Sequence, residues 1–355
     1  MNKIKLTMNT LFAGIGCQEY GIKITELFDL QVNSISEIDK EAVLSYAAIH
    51  CGLTNELIDS YQNYPSLEEM QDHLIKINLG YVPEKDKHYD WKKKRIDFVK
   101  RYWLACHLSH NLGDINQITL LPYADLWTLS SPCTDISCAG KMKGLDPDDN
   151  TRSSLIWQNI RLLKAAQDTN TLPKYLLLEN VKNLVSKRFL SYFETFNNIV
   201  ESFGYNTYWS VINAKDCGVP QNRERVFAIY IRKDIDTGKF EFPKPFDNGL
   251  RLKDVLDDNV DESYYINTDK AEKLIKDLLD KNIIGNDNAL TDRQTDRQTD
   301  RQTDRQTDRQ TGIKLSCQKP SKLKYSGTIT TREGSRGLSE TFRTASTGII
   351  EEQRH

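Results

Sequence analysis

The sequence predicts an α/β protein built on a doubly wound, mostly parallel sheet. Two observations carry that expectation. Short apolar runs alternate with longer amphipathic ones through the first 230 residues, and glycines or acids follow several of the apolar runs. A parallel sheet is buried on both faces, so its strands read as apolar runs, and each return crossing needs a helix.

The strand-like runs are Leu6–Phe12, Val32–Ile38, Asp125–Ser130, Tyr175–Leu178, Tyr205–Ile212 and Val226–Ile231. Helical periodicity marks Cys17–Leu27, Lys40–His50, Ser153–Ala166 and Phe189–Phe203. A stretch over 53–112 interrupts the rhythm. It reads as helical and is locally basic at Lys92, Lys93, Lys94, Arg95, Lys100 and Arg101. A solvated helix face is the plain reading of such a run, and contact with nucleic-acid phosphate is the functional one.

After Pro243 the periodicity weakens, and Thr291–Gln310 is five copies of Thr-Asp-Arg-Gln. That tract is too polar to bury a core. The DNA unit ACAG, read as ACA GAC AGA CAG, spells this peptide in every frame. We therefore hypothesise that gain or loss of one unit preserves the repeat and shifts everything after Thr311. A repeat number constant across independent cultures would sink that idea. The expected organisation is a domain over 1–240 containing the 53–112 insertion, a region over 241–290, the low-complexity tract 291–311, and a segment 312–355.

Composition narrows the class. The 355 residues are 38% hydrophobic and 28% charged, with a net charge of −2. A wholly basic nucleic-acid coat is excluded, but a neutral chain can still gather cations in one cleft. The seven cysteines (17, 51, 106, 133, 138, 217 and 317) are odd in number, widely spaced and without a Cys-x-x-Cys pair. Neither a disulfide framework nor a metal site is expected. No run approaches the roughly 20 apolar residues of a membrane span, so a cytoplasmic protein with no membrane partner is expected.

Several short motifs carry chemistry. Phe12-Ala13-Gly14-Ile15-Gly16 follows the first strand, where glycines let a ligand approach the backbone. Glu37-Ile38-Asp39 ends the second strand, where an acid binds a ribose diol in nucleotide folds. Gly113-Asp114-Ile115 supplies an acid suited to an adenine amino group. Without a full G-x-G-x-x-G, these elements favour an adenosyl ligand over a dinucleotide.

Ser131-Pro132-Cys133 follows the apolar run Asp125–Ser130, at the carboxyl end where ligands bind in open parallel sheets. A buried structural cysteine is the common alternative, but the polar, glycine-containing loop after it points to an accessible nucleophile. Glu179-Asn180-Val181 ends the next apolar run, where a carboxyl group can stay protonated and donate. Gln221-Asn222-Arg223-Glu224-Arg225 puts two arginines on one side of an extended chain, suited to a base oxygen and a phosphate or to a surface salt-bridge ladder. Together, cysteine, acid and arginines suit a cytosine. Thiolate addition at C6 with a proton given to N3 makes C5 nucleophilic enough to take a methyl group. That carbon is unreachable inside a duplex, so the base must flip out.

From about Leu11 to Ile231 these motifs resemble the cytosine-5 DNA methyltransferase family, in its motif order. The resemblance implies a Rossmann-like S-adenosyl-L-methionine-dependent methyltransferase fold, double-stranded DNA as partner, and a bacterial modification role. It assigns Phe12, Ala13, Gly14, Ile15, Gly16, Glu37, Ile38, Asp114, Ile115, Pro132 and Leu155 to the cofactor. Cys133, Glu179, Arg223 and Arg225 become catalytic, and Ser137, Asn180, Val181 and Gln221 bind substrate. Residues 241–290 then begin a target-recognition region and 312–355 continue it.

Departures exist. Ile38 stands where the family often has tryptophan, and Thr134-Asp135-Ile136 replaces the usual glutamine-led sequence after the nucleophile. Two C-terminal family motifs, near Arg-x-Leu-Thr-Pro-x-Glu and Gly-Asn-Ser, are not found. The expectation is therefore a chain weakly active alone, a frame-shifted product, or half of a pair whose second chain supplies those motifs. The tRNA-methylating branch of the family is a further alternative. A nucleotide-dependent oxidoreductase is disfavoured, lacking the dinucleotide fingerprint and a second cysteine at redox spacing.

Overall fold

A computed structural model describes residues 3–133, 136, 153–255 and 326–327. The chain divides into two compact units, one of residues 1–210 and 226–240, the other of residues 211–225 and 241–355.

The first unit is organised by a six-stranded sheet, in the order β2-β1-β3-β4-β7-β5. The strands are β1 (Ile4–Leu11), β2 (Phe28–Ser36), β3 (Leu126–Thr128), β4 (Tyr175–Val181), β5 (Tyr205–Asn213) and β7 (Glu224–Arg232). The β1–β2, β1–β3 and β3–β4 ladders are parallel. After β1 the chain builds outward to β2, then returns to lay β3 against the other side of β1. That reversal is a topological switch point, and the carboxyl ends of β1 and β3 flank the crevice it opens. The α/β class and parallel sheet read from periodicity are those found.

Element ends follow local chemistry. Helix α2 (Lys40–His50) begins where Asp39 Oδ1 accepts from the N–H groups of Glu41 and Ala42 at 2.9 and 3.0 Å. Its bounds match the sequence expectation. Helix α1 (Cys17–Lys23) is shorter than the expected Cys17–Leu27. The apolar rhythm continues through Ile24 and Leu27, but the Thr25 hydroxyl donates to the carbonyl of Ile22 and Glu26 turns left-handed at φ 57°. Strand β4 runs past its expected end at Leu178, so Glu179 and Asn180 are strand residues. Helices α6 (Ile156–Asp168) and α7 (Leu190–Ser202) lie within or near their predicted ranges.

The 53–112 insertion contains α3 (Asn55–Ser60), α4 (Leu67–Lys76) and α5 (Ile96–Leu108). They pack with α2 around Val43, Met70, Leu74, Trp91, Val99 and Leu104. The indole N–H of Trp91 donates to the carbonyl of Leu79 at 2.8 Å. Its cations are largely engaged within the insertion: Lys92 with Asp72 at 2.5 Å, Lys93 with Asp90 at 2.7 Å, and Lys94 over the Tyr89 ring at 4.8 Å.

In the second unit, β6 (Gln221–Asn222) pairs in parallel with β8 (Ser326–Gly327). Asn213 organises the turn before β6. Its Nδ2 donates to Asn222 Oδ1 at 2.7 Å, and its Oδ1 accepts from the N–H of Arg223 at 3.0 Å.

Candidate active site

The loop after β1 is held open by backbone geometry. Phe12, Gly14 and Gly16 all have positive φ, at 55°, 55° and 81°. A Cβ at Gly14 would meet nothing within 4 Å, so the loop offers a ligand free space beside its backbone. A Cβ at Gly16 would lie 2.2 Å from His50 Nε2 and 2.5 Å from Glu19 Oε2, so glycine is required there on two counts.

Glu37, at the tip of β2, is half-buried and ties the neighbouring loops together. Its Oε2 accepts from the N–H of Gly14 at 2.9 Å, and its Oε1 from those of Ile38 and Asp39 at 2.9 and 2.8 Å. Burial pushes the Glu37 carboxyl above the ordinary carboxylate range, against the lowering effect of these N–H donors. A carboxylate has about four acceptor positions. Three are filled here, which leaves one, on Oε2, for a hydroxyl.

Asp114 repeats this pattern. Its Oδ2 accepts from Asn78 Nδ2 at 2.8 Å, while its Oδ1 accepts from the N–H and Nδ2 of Asn116 at 3.0 and 2.9 Å. One position again remains, on Oδ2. Ile115 beside it is buried, and its carbonyl accepts from Arg161 at 2.7 Å. The ends of β2 and of the Gly113–Asp114 turn are joined by Asn111. Its Nδ2 donates to the carbonyl of Glu37 at 2.9 Å, and its Oδ1 accepts from the N–H groups of Glu37 and Gly113 at 3.1 and 3.0 Å. Sequence reasoning missed Asn111 and Asn78, because nothing local marks a loop asparagine whose bonds to Glu37 and Asp114 span 74 and 36 positions.

Cys133 follows β3 and is half-buried. Asn159 Nδ2 donates to the carbonyl of Leu129 at 2.9 Å, and Ser153 donates to that of Pro132 at 3.0 Å, fixing the turn from the α6 side. From the β4 side, Asn180 Nδ2 donates to Ser131 Oγ at 3.2 Å. The pleat of β4 buries Leu176, Leu178 and Asn180 and puts Glu179 on the other face, beside Leu177 and Val181. Glu179 is half-buried there. Leu155 ends a short 3-10 turn before α6 and is half-buried; Ile38 is likewise half-buried after Glu37. Ser137 lies outside the described residues, as do Cys138 and Cys317.

Among the other described cysteines, Cys17 is exposed, Cys51 and Cys217 are half-buried like Cys133, and Cys106 is buried. Cys106 is buried in the α5 core, and burial pushes its thiol up to about 12; burial likewise raises Cys51 to about 11. In the second unit, Arg223 and Arg225 flank Glu224, and Arg225 donates to the Glu224 carbonyl at 2.8 Å. Both arginines and Gln221 are half-buried. Among the described residues no group of three or more His, Cys, Asp or Glu side chains is arranged to hold a metal ion. No helix among them is long and apolar enough to cross a membrane.

Residues 87–353 match the family described as C-5 cytosine-specific DNA methylase. The type II methyltransferase M2.ScrFI of Lactococcus lactis subsp. cremoris is 37% identical over 274 residues, covering 76% of this chain and 72% of that protein. The orphan methyltransferase M.SssI of Spiroplasma monobiae is 33% identical over 269 residues, covering 74% and 68%. A solved Entamoeba histolytica methyltransferase, EhMeth, superposes with a TM-score of 0.45 at 17% identity, covering 80% of this chain and 68% of its own.

Proposed function

The chain belongs to the C-5 cytosine-specific DNA methylase family and is a DNA (cytosine-5)-methyltransferase, and from that premise we propose how its own residues carry the reaction. The observation that carries the proposal is the switch point. The Phe12–Gly16 loop and the Pro132–Cys133 turn leave adjacent parallel strands, β1 and β3, at the same end of the sheet. A methyl donor cradled by the first therefore lies beside a nucleophile carried by the second.

S-adenosyl-L-methionine fits the acceptor positions left open on Glu37 and Asp114 and the free space at Gly14. Glu37 would take a ribose hydroxyl, Asp114 the adenine amino group, and Ile38, Ile115, Pro132 and Leu155 would line the rest of the donor site. When bound it supplies an electrophilic methyl group.

Cys133 adds through Sγ to C6 of a cytosine turned out of the duplex, and Glu179 delivers a proton to N3. The new S–C6 bond moves electron density to C5, which takes the methyl group as the methyl–sulfur bond breaks and the donor leaves as the neutral thioether. A base then removes the C5 proton, the S–C6 bond breaks, and the Cys133 thiolate leaves while N3 returns its proton to Glu179. Arg223 and Arg225 hold the base oxygen and a neighbouring phosphate, with Ser137, Asn180, Val181 and Gln221 lining the substrate side. Residues 241–290 and 312–355 read the target sequence. Likeness to the type II methyltransferase M2.ScrFI supports a modification role of the restriction–modification type.

Methyl transfer from tritiated donor to duplex DNA and to tRNA, with nucleoside analysis of the product, tests this reading. Label in 5-methylcytosine of DNA is expected. Label in tRNA alone, or in N4-methylcytosine, would overturn it.

A further inference from the structure

Behind the Phe12–Gly16 loop lies a cluster of polar side chains that the chemistry above does not use. Glu19 is fully buried on α1, and Thr10 of β1 donates to its Oε1 at 2.6 Å. The His50 ring, at the end of α2, approaches Glu19 Oε2 to 3.9 Å, with its side chain 3% exposed. Tyr46, one turn earlier, meets the same ring at 4.7 Å between centroids.

Two contacts define what His50 does. Its Nε2 lies 3.0 Å from the carbonyl oxygen of Ile15, and its Nδ1 lies 3.4 Å from Lys23 Nζ. A carbonyl only accepts, so Nε2 carries the hydrogen. An ammonium only donates, so Nδ1 is the bare nitrogen. Lys23 thus selects the Nε2–H tautomer, the one able to hold the loop. The ring also borders a cavity of about 280 Å³, alongside Lys23, Cys51 and His110.

We propose that His50 is a positioning residue for the methyl donor: its Nε2–H anchors the Ile15 carbonyl from one side of the glycine loop while Glu37 anchors the Gly14 N–H from the other. The peptide between Gly14 and Ile15 is thereby fixed at both adjoining groups. Gly16 belongs to the same device, since any Cβ there would displace the ring. This rests on the reading of the Phe12–Gly16 loop as the donor site.

The test uses the full chain, with S-adenosyl-L-methionine and S-adenosylhomocysteine as probes. His50→Leu keeps bulk and removes the donor. Binding of both probes by calorimetry should weaken about five- to tenfold, the worth of one hydrogen bond. The KM for the donor should rise in step, with kcat and the KM for DNA within twofold. His50→Gln retains an amide N–H able to reach Ile15 and should recover most of the affinity. Nitrogen-15 spectra of the wild-type ring should show hydrogen on Nε2 and none on Nδ1. If His50→Leu does not fold, Lys23→Met reads the same contact, as a smaller loss of probe affinity and a mixed tautomer signal. Unchanged affinity in His50→Leu (or in Lys23→Met, where that is the variant read), a glutamine variant no better than leucine, or an Nδ1–H ring would overturn the proposal. Wild-type chain that binds neither probe would instead overturn the assignment of the loop itself.

Discussion

Asn180 Nδ2 donates to Ser131 Oγ at 3.2 Å, so the strand that carries Glu179 also restrains the turn two residues before Cys133. The proposed proton donor and nucleophile thus hang from adjoining parallel strands, β4 and β3, linked at their carboxyl ends by one side chain. Asn180 is buried, and its amide oxygen accepts from the N–H of Val181 at 2.8 Å. Asn180→Ala should therefore cut kcat about tenfold or more while donor affinity stays within twofold. Steady-state kinetics beside calorimetry separate the two, and an equal loss in both would make Asn180 a general structural residue.

The thiols should differ sharply in reactivity. Burial raises Cys106 to about 12 and Cys51 to about 11, so both are almost wholly protonated at pH 8. Brief iodoacetamide treatment of folded protein should leave these two unmodified, with labelling appearing only in denaturant. Peptide mapping checks this, and early labelling of Cys106 would contradict the core described for α5.

Glycine 113 should be intolerant. Its φ is 74°, and a Cβ would lie 1.9 Å from the backbone carbonyl oxygen of Ile77, which cannot yield as a side chain can. Gly113→Ala should cost several kcal/mol and weaken donor binding by shifting Asp114. Gly249→Ala, at φ 81° with nothing within 4 Å, should cost only about 1–2 kcal/mol. Denaturant unfolding of the two variants gives the comparison, and equal costs would refute the close approach at Ile77.

Glu19 carries a pH signature. Burial raises its carboxyl above the ordinary value, the Thr10 hydroxyl opposing. A raised folded value makes ionisation unfavourable to the fold, so the contribution is whole below the unfolded value near 4.5 and is lost as pH rises through the folded one. Glu19→Gln, which keeps an acceptor for Thr10, should raise the midpoint of thermal unfolding at pH 8 by about 2–4 °C. Near pH 4 the difference should vanish. A gain that persisted at pH 4 would show that the amide stabilises for another reason.

How legible this was from sequence depended on where the signal lay. Helix α2 could be bounded because Asp39 before it and Gly52 after it are local punctuation. The glycine loop, Glu37, Asp114 and Cys133 each follow an apolar run or a glycine, so their placement at strand or turn ends could be read. Helix α1 was overextended because Ile24 and Leu27 continue the apolar rhythm, although both are exposed. His50, Asn78 and Asn111 gave no signal at all. Each is a polar residue at a helix end or in a loop, its bond to Ile15, Asp114 or Glu37 spans roughly 35 to 75 positions, and periodicity carries nothing about such pairings.

The central claim is covalent attack by Cys133, and the most direct measurement is trapping on duplex DNA carrying 5-fluorocytosine at the target position. Fluorine cannot leave as a proton does, so the S–C6 bond should persist after methyl transfer. Digestion and mass mapping should place the adduct on Cys133, and Cys133→Ser should give none while still binding the methyl donor. An adduct on Cys138 or on any other cysteine, or efficient methylation by the serine variant, would contradict the account.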